Sequence, residues 1–540
     1  MKQLKKISIY VIGVFLLFNS CTKDFDTVNT NPASPKSTTI APLVNGIEST
    51  LFLGWQEQAS ILNDWYYSST QLAGETSLSG YLMVSGASEI WNGYYSALQN
   101  INQVQALINA ATDKEAYNNI QAILNTLKAY KTFRVTDQFG DIPYSNAGKA
   151  FTGNIADNRP TYDKQQDIYK SLLEDLNWAV TNINTDASAK TAKGNPFADL
   201  GSYDVLFGND MTKWKKWANS LLLRYSLQLA EKDPATATKY ATIAFTANTF
   251  IDDGADVALW PAKLGGYDIQ SRIWSFGSGG TGYVRISTTF WNLVADGTNP
   301  SQIFDPRAFV FAQPNAAGTW APYLIGSTVG DKVNPYDYSM TAGSPQNMHG
   351  CLYSPINYWL VRDEHYIPEL IMTSSETHFL KAEAYLRGIG VTQSTANANS
   401  EYQAGITASV NFWYSIAKNT NTTESPWNTV QPLTFTPAQL TALLAHPKVA
   451  FTASASDNLK KIYAQEWLDS FRQPWLAFNL WRRTGLTPVD PNSTPGTAYT
   501  TLYRLPYPQD EAVNNTDNYN AQLATMGGVN STSVKVWWMK

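Results

Sequence analysis

"WNGYYSALQNINQVQALINAATDKEAYNNIQAILNTLKAYKTFRV", residues Trp91–Val135, carries apolar side chains in two runs of helical spacing. Trp91, Tyr94, Tyr95, Leu98, Ile101, Val104 and Ile108 recur every three or four positions, and so do Tyr117, Ile120, Leu124, Leu127, Tyr130 and Phe133. Residues so spaced share one face of a helix, so each run predicts an amphipathic helix with one side turned to a core. The polar break "ATDKEA" (111–116) is short, which predicts that the two fold back as an antiparallel hairpin.

The same period recurs outward from this pair. It predicts helices over 162–183, begun at "RPTYD", and over 211–231, where Trp214, Trp217, Leu221, Leu222, Tyr225 and Leu229 share a face and Pro234 is read as a stop. Further helices are predicted over 375–388, 401–417, 437–445 and 456–481. No strict repeat period is present, but paired helices of this length suit a solenoid-like scaffold of tetratricopeptide type. By spacing, Trp91, Trp214, Trp217 and Trp481 belong to the core. The fold class is therefore mainly α, a tetratricopeptide-like helical-pair scaffold decorated by long irregular loops.

Residues 251–374 change character, with "LGGYD", "GSGGTGY", "ADGTNPSQ" and "NPYDYS" separating short apolar pieces. A loop-rich insertion of this length inside a globular chain usually carries function, and the ligand-facing surface is expected there. The expected organisation is one domain over 40–540, with helical scaffold at about 40–250 and 375–485 and the insertion at about 251–374.

At the N-terminus, Lys2, Lys5 and Lys6 precede the uncharged stretch Ile7–Phe18, the pattern of a secretory signal and too short for a membrane span. Phe18-Asn19-Ser20-Cys21 resembles a bacterial lipobox. That resemblance implies a signal peptide over 1–20, cleavage before Cys21 and acylation of this cysteine. Each buried methylene contributes about 0.8 kcal/mol, so several acyl chains hold a protein at a membrane without a transmembrane helix. Residues 21–39 form a polar tether, and "CTKDFD" (21–26) looks like the acidic export signals of surface-exposed lipoproteins.

Composition narrows the partners. The net charge is −5 and only 15% of residues are charged, against about 25% in an average soluble protein, with no clustered Lys/Arg run. Nucleic acid is therefore not an expected partner. Cys351 is the sole cysteine beside Cys21, so acylation of Cys21 leaves no intramolecular disulfide, and Cys351 reads as apolar filler. Aromatics are abundant, with 18 Trp, 30 Tyr and 22 Phe, and those in Gly/Ser/Asn-rich segments exceed what a core requires.

Catalytic and metal patterns are sparse. The four histidines, His349, His365, His378 and His446, form no H-E-x-x-H motif. In "RDEHY" (362–366) Asp363, Glu364 and His365 are adjacent, and adjacent side chains diverge rather than share a metal. "IDDGAD" (251–256) offers oxygen ligands of the kind calcium takes, but reads first as a polar turn closing a helix hairpin. "GSGGTG" (277–282) lacks the Lys and Ser/Thr of a phosphate loop. Nothing singles out a carboxylate pair for glycoside cleavage. No cofactor or metal is expected, and Arg224, Arg482 and Arg483, on apolar helices, read as scaffold partners.

Several segments, in order, resemble the SusD/RagB family of nutrient-binding outer-membrane lipoproteins, in its SusD-like branch. They are "DFDTVNTNP" (24–32), "VTDQFGDIPYSNA" (135–147), "KWANSLLLRYSLQLA" (216–230), "DPRAFVF" (305–311), "THFLKAEAYLRG" (377–388), "NLWRRTGLTP" (479–488) and "RLPYPQDEAVNN" (504–515). The resemblance implies four tetratricopeptide-like helical pairs. It also implies a SusC-like TonB-dependent transporter as partner, over which the lipoprotein sits as a lid and delivers oligosaccharide or, in the RagB type, peptide. Its place would be the outer membrane, facing the exterior.

A pyranose packs its apolar C–H face on a Trp or Tyr ring while polar neighbours meet its hydroxyls. In the family, ligand contacts come from the loop before the first long helix and from loops inserted between helical pairs. By position this implies Asp64, Trp65, Tyr67 and Tyr81 from the first region, and Arg272, Trp274, Tyr283, Trp320 and Tyr336 from the second. The function expected is glycan binding and hand-over without catalysis. A lipid-anchored glycoside hydrolase and a peptide-binding lid are the alternatives.

Overall fold

The computed structural model describes residues 39–75, 83–154, 158–260, 284–331, 351–357, 368–419 and 434–540. The chain enters through α1 (Ile40–Ser49) and passes a π-helix over Glu57–Tyr66 that runs into a short turn of α-helix, Tyr67–Thr70. The predicted hairpin follows with longer arms, α2 (Met83–Ala110) and α3 (Asn118–Phe139). Of the residues the spacing selects on α2, Trp91, Tyr94, Leu98, Ile101, Val104 and Ile108 are buried and Tyr95 is half-buried, while Ile90, outside that selection, is buried as well. Helices α4 (Gln165–Asn182), α5 (Met211–Gln228) and α6 (Pro234–Ala247) then pack each on its predecessor.

Local chemistry sets the boundaries. Gly140 closes α3 at φ +76°, a region that a side chain strains to occupy. Asp210 starts α5 by accepting from the N–H groups of Thr212 and Lys213. The reading of Pro234 as a stop is corrected: it is the first residue of α6, where a missing N–H costs nothing, and Asp233 caps that helix through Thr236 N–H.

The second helical block comprises α7 (Ser374–Arg387), α8 (Thr395–Asn419), α9 (Pro437–Ala445), α10 (Ala455–Asp469) and α11 (Pro474–Thr484). The single helix expected over 456–481 is divided, because Pro474 cannot donate into a continuing helix; a 3₁₀ turn at Ser470–Arg472 makes the corner. The α9 boundaries agree with expectation, fixed by a reciprocal capping box between Thr436 and Gln439.

The described residues form two hydrophobic cores. One gathers α1–α6 with Trp475, Phe478, Leu505, Tyr507 and Trp538; the other gathers α7–α11 with Phe290, Trp291, Phe311 and Trp320. Arg224 of α5 reaches Glu376 of α7 with two N–H···O contacts of 2.5 Å, a buried bidentate pair that fixes one block against the other. Asn219, in the same motif, donates to the Ala244 carbonyl at 3.0 Å and ties α5 to α6. The C-terminal residues close the first core: Trp538 donates to Asp137 at 2.8 Å and Trp537 N–H to Gln165 at 2.8 Å. Arg482 donates to the Asp137 carbonyl at 2.7 Å, Arg483 pairs with Glu383 at 2.7 Å, and both are buried, as scaffold partners should be. Trp91, Trp214 and Trp217 are buried, Trp481 is half-buried against the same core, and Cys351 is a free, buried thiol.

Among the described residues strands are few and short: β1 (Ala73–Glu75), β2 (Ile142–Pro143), β3 (Tyr162–Asp163), β4 (Val257–Leu259), β5 (Val284–Ile286) and β6 (Glu369–Met372), paired as β1–β5, β2–β3 and β4–β6. Among the described residues no helix is long and apolar enough to cross a membrane. Cys21 and the leader and tether expected over 1–39 lie outside the described residues, apart from Thr39.

Candidate functional site

The β1–β5 pairing joins the two regions expected to meet a ligand. Its antiparallel register sets Ala73 opposite Ile286, Gly74 opposite Arg285 and Glu75 opposite Val284. Gly74 is needed for packing: a Cβ there would lie 2.6 Å from the Tyr323 ring, which therefore rests directly on the strand. Arg285 is fully buried, and its Nε donates to Asp331 Oδ2 at 3.1 Å. The same oxygen accepts the N–H groups of Leu352 at 2.8 Å and Tyr353 at 3.1 Å. A buried ion pair holds only where its remaining bonds are made, and here Asp331 also takes two main-chain N–H groups from the stretch that follows residue 350. The segments that border 261–283 and 332–350 are thus fastened around one guanidinium, and β1, which borders 76–82, is held to β5 by main-chain pairing.

Of the residues expected to bind, Tyr81, Arg272, Trp274, Tyr283 and Tyr336 lie outside the described residues. The other four are placed. Asp64 and Trp65 belong to the π-helix and Tyr67 to the α-turn after it, which corrects their assignment to a loop. Asp64 is buried, and Tyr67 is a core residue whose hydroxyl donates to the Phe471 carbonyl at 2.7 Å. Trp320 is buried as well, stacked on Trp291 with ring centroids 5.0 Å apart, so neither it nor Tyr67 turns a ring face to solvent. Trp65 is half-buried beside Tyr499 at 5.1 Å, and its buried indole N–H has no acceptor among the described residues.

A groove of about 510 Å³ opens between the β4 segment and α8. One wall is the end of the 251–256 turn and β4, with Asp253, Asp256 and Trp260; the other is α8, with Thr407, Asn411, Phe412 and Ser415. Its volume is in the range of about 300–1,000 Å³ usual for small-ligand sites. Trp260 and Phe412 are half-buried on the second core, so each keeps ring surface available, and the alternating hydroxyl and amide groups suit sugar hydroxyls. Neither aromatic was singled out by sequence. Trp260 had one signal, its place at the edge of the Gly-rich insertion; Phe412 had none, because a helical aromatic reads as core.

The "IDDGAD" turn has its carboxylates engaged by protein groups. Asp252 pairs with Lys216, Asp253 meets His378 Nε2 at 2.7 Å, and Asp256 accepts Ser374 N–H at 2.7 Å and its hydroxyl at 3.0 Å. Burial pushes the Asp256 carboxyl above its ordinary range, partly offset by those Ser374 bonds. Burial alone would lower the His378 imidazole, but Glu401 at 2.6 Å and Asp253 hold it above its ordinary value. Among the described residues no group of three or more His, Cys, Asp or Glu side chains is placed to hold a metal. "RDEHY" and "GSGGTG" both lie outside the described residues.

A family model described as starch-binding and associating with the outer membrane, SusD-like, matches residues 30–508. Solved structures agree in fold. A protein named only as chitin-binding is 25% identical, with a TM-score of 0.68, covering 93% of this chain and 100% of its own. A SusD homologue from Parabacteroides distasonis is 21% identical with a TM-score of 0.70, covering 93% of this chain and 98% of its own. A SusD-like protein labelled Bacteroidetes AC2a is 20% identical with a TM-score of 0.66, covering 93% and 100%. No curated protein matches by sequence.

Proposed function

Because the chain belongs to the SusD-like family of starch-binding proteins that associate with the outer membrane, we propose that it captures oligosaccharide at the cell surface and passes it, uncleaved, to a SusC-like TonB-dependent transporter. The observation that carries this reading is the family match over residues 30–508, strengthened by the chitin-binding neighbour that this chain covers from end to end at 25% identity. An acylated Cys21 on its polar tether would keep the protein beside the barrel at high effective concentration.

The Trp260 groove supports the sugar class of ligand. Trp260 and Phe412 supply apolar faces, and Asn411, Thr407 and Ser415 supply groups that exchange bonds with hydroxyls. Tyr81, Arg272, Trp274, Tyr283 and Tyr336 are proposed to complete the surface, with Trp65 at its margin. Both carboxylates on the groove wall accept bonds from protein donors, His378 and Ser374, which favours binding over cleavage.

Calorimetric titration with chitohexaose, maltoheptaose and other neutral oligosaccharides tests the reading. At least one should bind, Trp260→Ala should weaken it about tenfold or more, and the sugar should be recovered intact. New reducing ends would establish a hydrolase in place of a binding protein. Retention of peptides with no sugar bound would establish a peptide-binding lid.

A further inference from the structure

A second groove, of about 570 Å³, lies on the helical scaffold, where α2, α3 and α4 meet, and shares no lining residue with the Trp260 groove. Its floor is a ladder of primary amides. Gln105 and Gln121 exchange N–H···O bonds of 2.9 and 2.8 Å, and Gln121 donates onward to Asn125 at 2.9 Å. Each amide oxygen in that ladder accepts one such bond and has a lone pair for another, so the floor presents a row of acceptors. Trp178 stands at the wall, half-buried against the first core, with its remaining ring surface in the groove.

The charges around it cancel. Lys128 is 2.7 Å from Asp175, and Glu174 is held by Lys239 at 2.9 Å and by the Tyr240 hydroxyl. An anionic ligand finds no unmatched cation, and nucleic acid has no basic track to follow. A peptide held by side-chain anchors needs apolar pockets, and the groove offers a single aromatic among amides. A row of acceptors beside one aromatic face, without net charge, matches a chain of neutral hexopyranoses, whose hydroxyls donate and whose C–H faces stack.

We propose that this groove is a second oligosaccharide-binding site, on the scaffold rather than on the loop surface. It rests on the carbohydrate reading above and extends it. Two modest sites on one rigid body engage the same polymer with higher avidity than either alone, so the scaffold site would hold the polysaccharide while the loop surface takes an end of it.

The experiment is calorimetric titration of the full protein with the same neutral oligosaccharides, using Thr181→Arg, Trp178→Ala and Trp260→Ala. Thr181 is an exposed α4 residue on the groove, so Thr181→Arg fills the space without entering the core and stands in should Trp178→Ala fold poorly. The wild type should show two sites per chain. Thr181→Arg and Trp178→Ala should each weaken one of them about tenfold or more and leave the other, while Trp260→Ala does the converse. A single site lost in Trp260→Ala and untouched by Thr181→Arg overturns the scaffold site and leaves the main reading standing. Binding of peptide that Thr181→Arg abolishes, with sugar binding unaffected, overturns the ligand class assigned to the groove. No oligosaccharide bound at either site removes both readings together.

Discussion

Glu383 is the carboxylate on which three helices of the second block converge. It is fully buried on α7 and accepts Arg483 of α11 at 2.8 and 2.7 Å, Arg387 at 2.7 Å and the Tyr463 hydroxyl of α10 at 2.8 Å. Burial alone would raise its pKa, but Arg483, then Arg387 and Tyr463, outweigh burial and hold it at about 2 against an ordinary 4.5. At about 1.4 kcal/mol per pH unit, that depression corresponds to a stabilisation of about 3 kcal/mol. Its sign follows from proton binding. Between the two values the unfolded chain holds the proton and the folded protein does not, so the stabilisation is complete above 4.5 and is lost as pH falls towards 2. Glu383→Gln removes the charge and strands two guanidiniums, a change that costs about 3–5 kcal/mol at a buried pair. Urea denaturation should therefore show a deficit of that size at pH 7, shrinking steadily as both proteins are taken below pH 4.5. Adding Arg483→Met to Glu383→Gln should recover part of the loss, because the stranded cation is the main cost. A deficit below about 1 kcal/mol at pH 7, or one that stays constant down to pH 3, would refute the reasoning.

Two further perturbations rest on the geometry and a third on the proposed lipid anchor. Gly74→Ala forces a Cβ against the Tyr323 ring and should cost about 1–3 kcal/mol; thermal denaturation and oligosaccharide titration should fall together, since this strand aligns the segments around Arg285. Trp538→Phe deletes one donor to the buried Asp137 carboxylate and should cost about 1–3 kcal/mol by chemical denaturation. Burial already raises Asp137 to about 6 from 3.8, and losing a bond to its charged form raises it further, so this deficit should be larger at pH 8 than at pH 5. Cys21→Ala should fold normally and leave the membrane fraction; its persistence in the outer-membrane fraction of cells lacking the transporter would sink the tether account.

The helices were readable because their signal is local. Ile90 through Ile108 on α2 and Trp214 through Tyr225 on α5 repeat an apolar face over many turns, and burial follows that repeat. Prolines were harder, because one residue carries two meanings. Pro234 and Pro474 both look like stops from the preceding helix, yet each begins the next, and which meaning holds depends on whether a cap such as Asp233 stands before it. The π-helix over Glu57–Tyr66 is buried nearly all round, with polar Gln58, Ser60, Asn63 and Asp64 inside, so no polar face sets off an apolar one and its residues read as loop.

The proposed ligand-facing surface rests on composition, which points to a region and not to its residues. Gly/Ser/Asn-rich segments identify where aromatics are not needed by a helix, but they do not say which ring turns outward. Tyr67 and Trp320 sit in such segments and are buried, because Phe471 and Trp291 reach them from elements distant in sequence. Trp260 and Phe412 face a groove because β4 and α8 converge, a contact with no local trace. What gathers the loops is the pairing of Glu75 with Val284 and of Arg285 with Asp331, both made between distant stretches of chain. A binding surface built in this way can change its aromatics while the buried guanidinium keeps the loop ends together. On the proposed reading specificity and fold rest on different residues: a substitution at Arg285 should disturb the segments joined at β5, while Trp260→Ala should leave the fold intact and weaken only oligosaccharide binding.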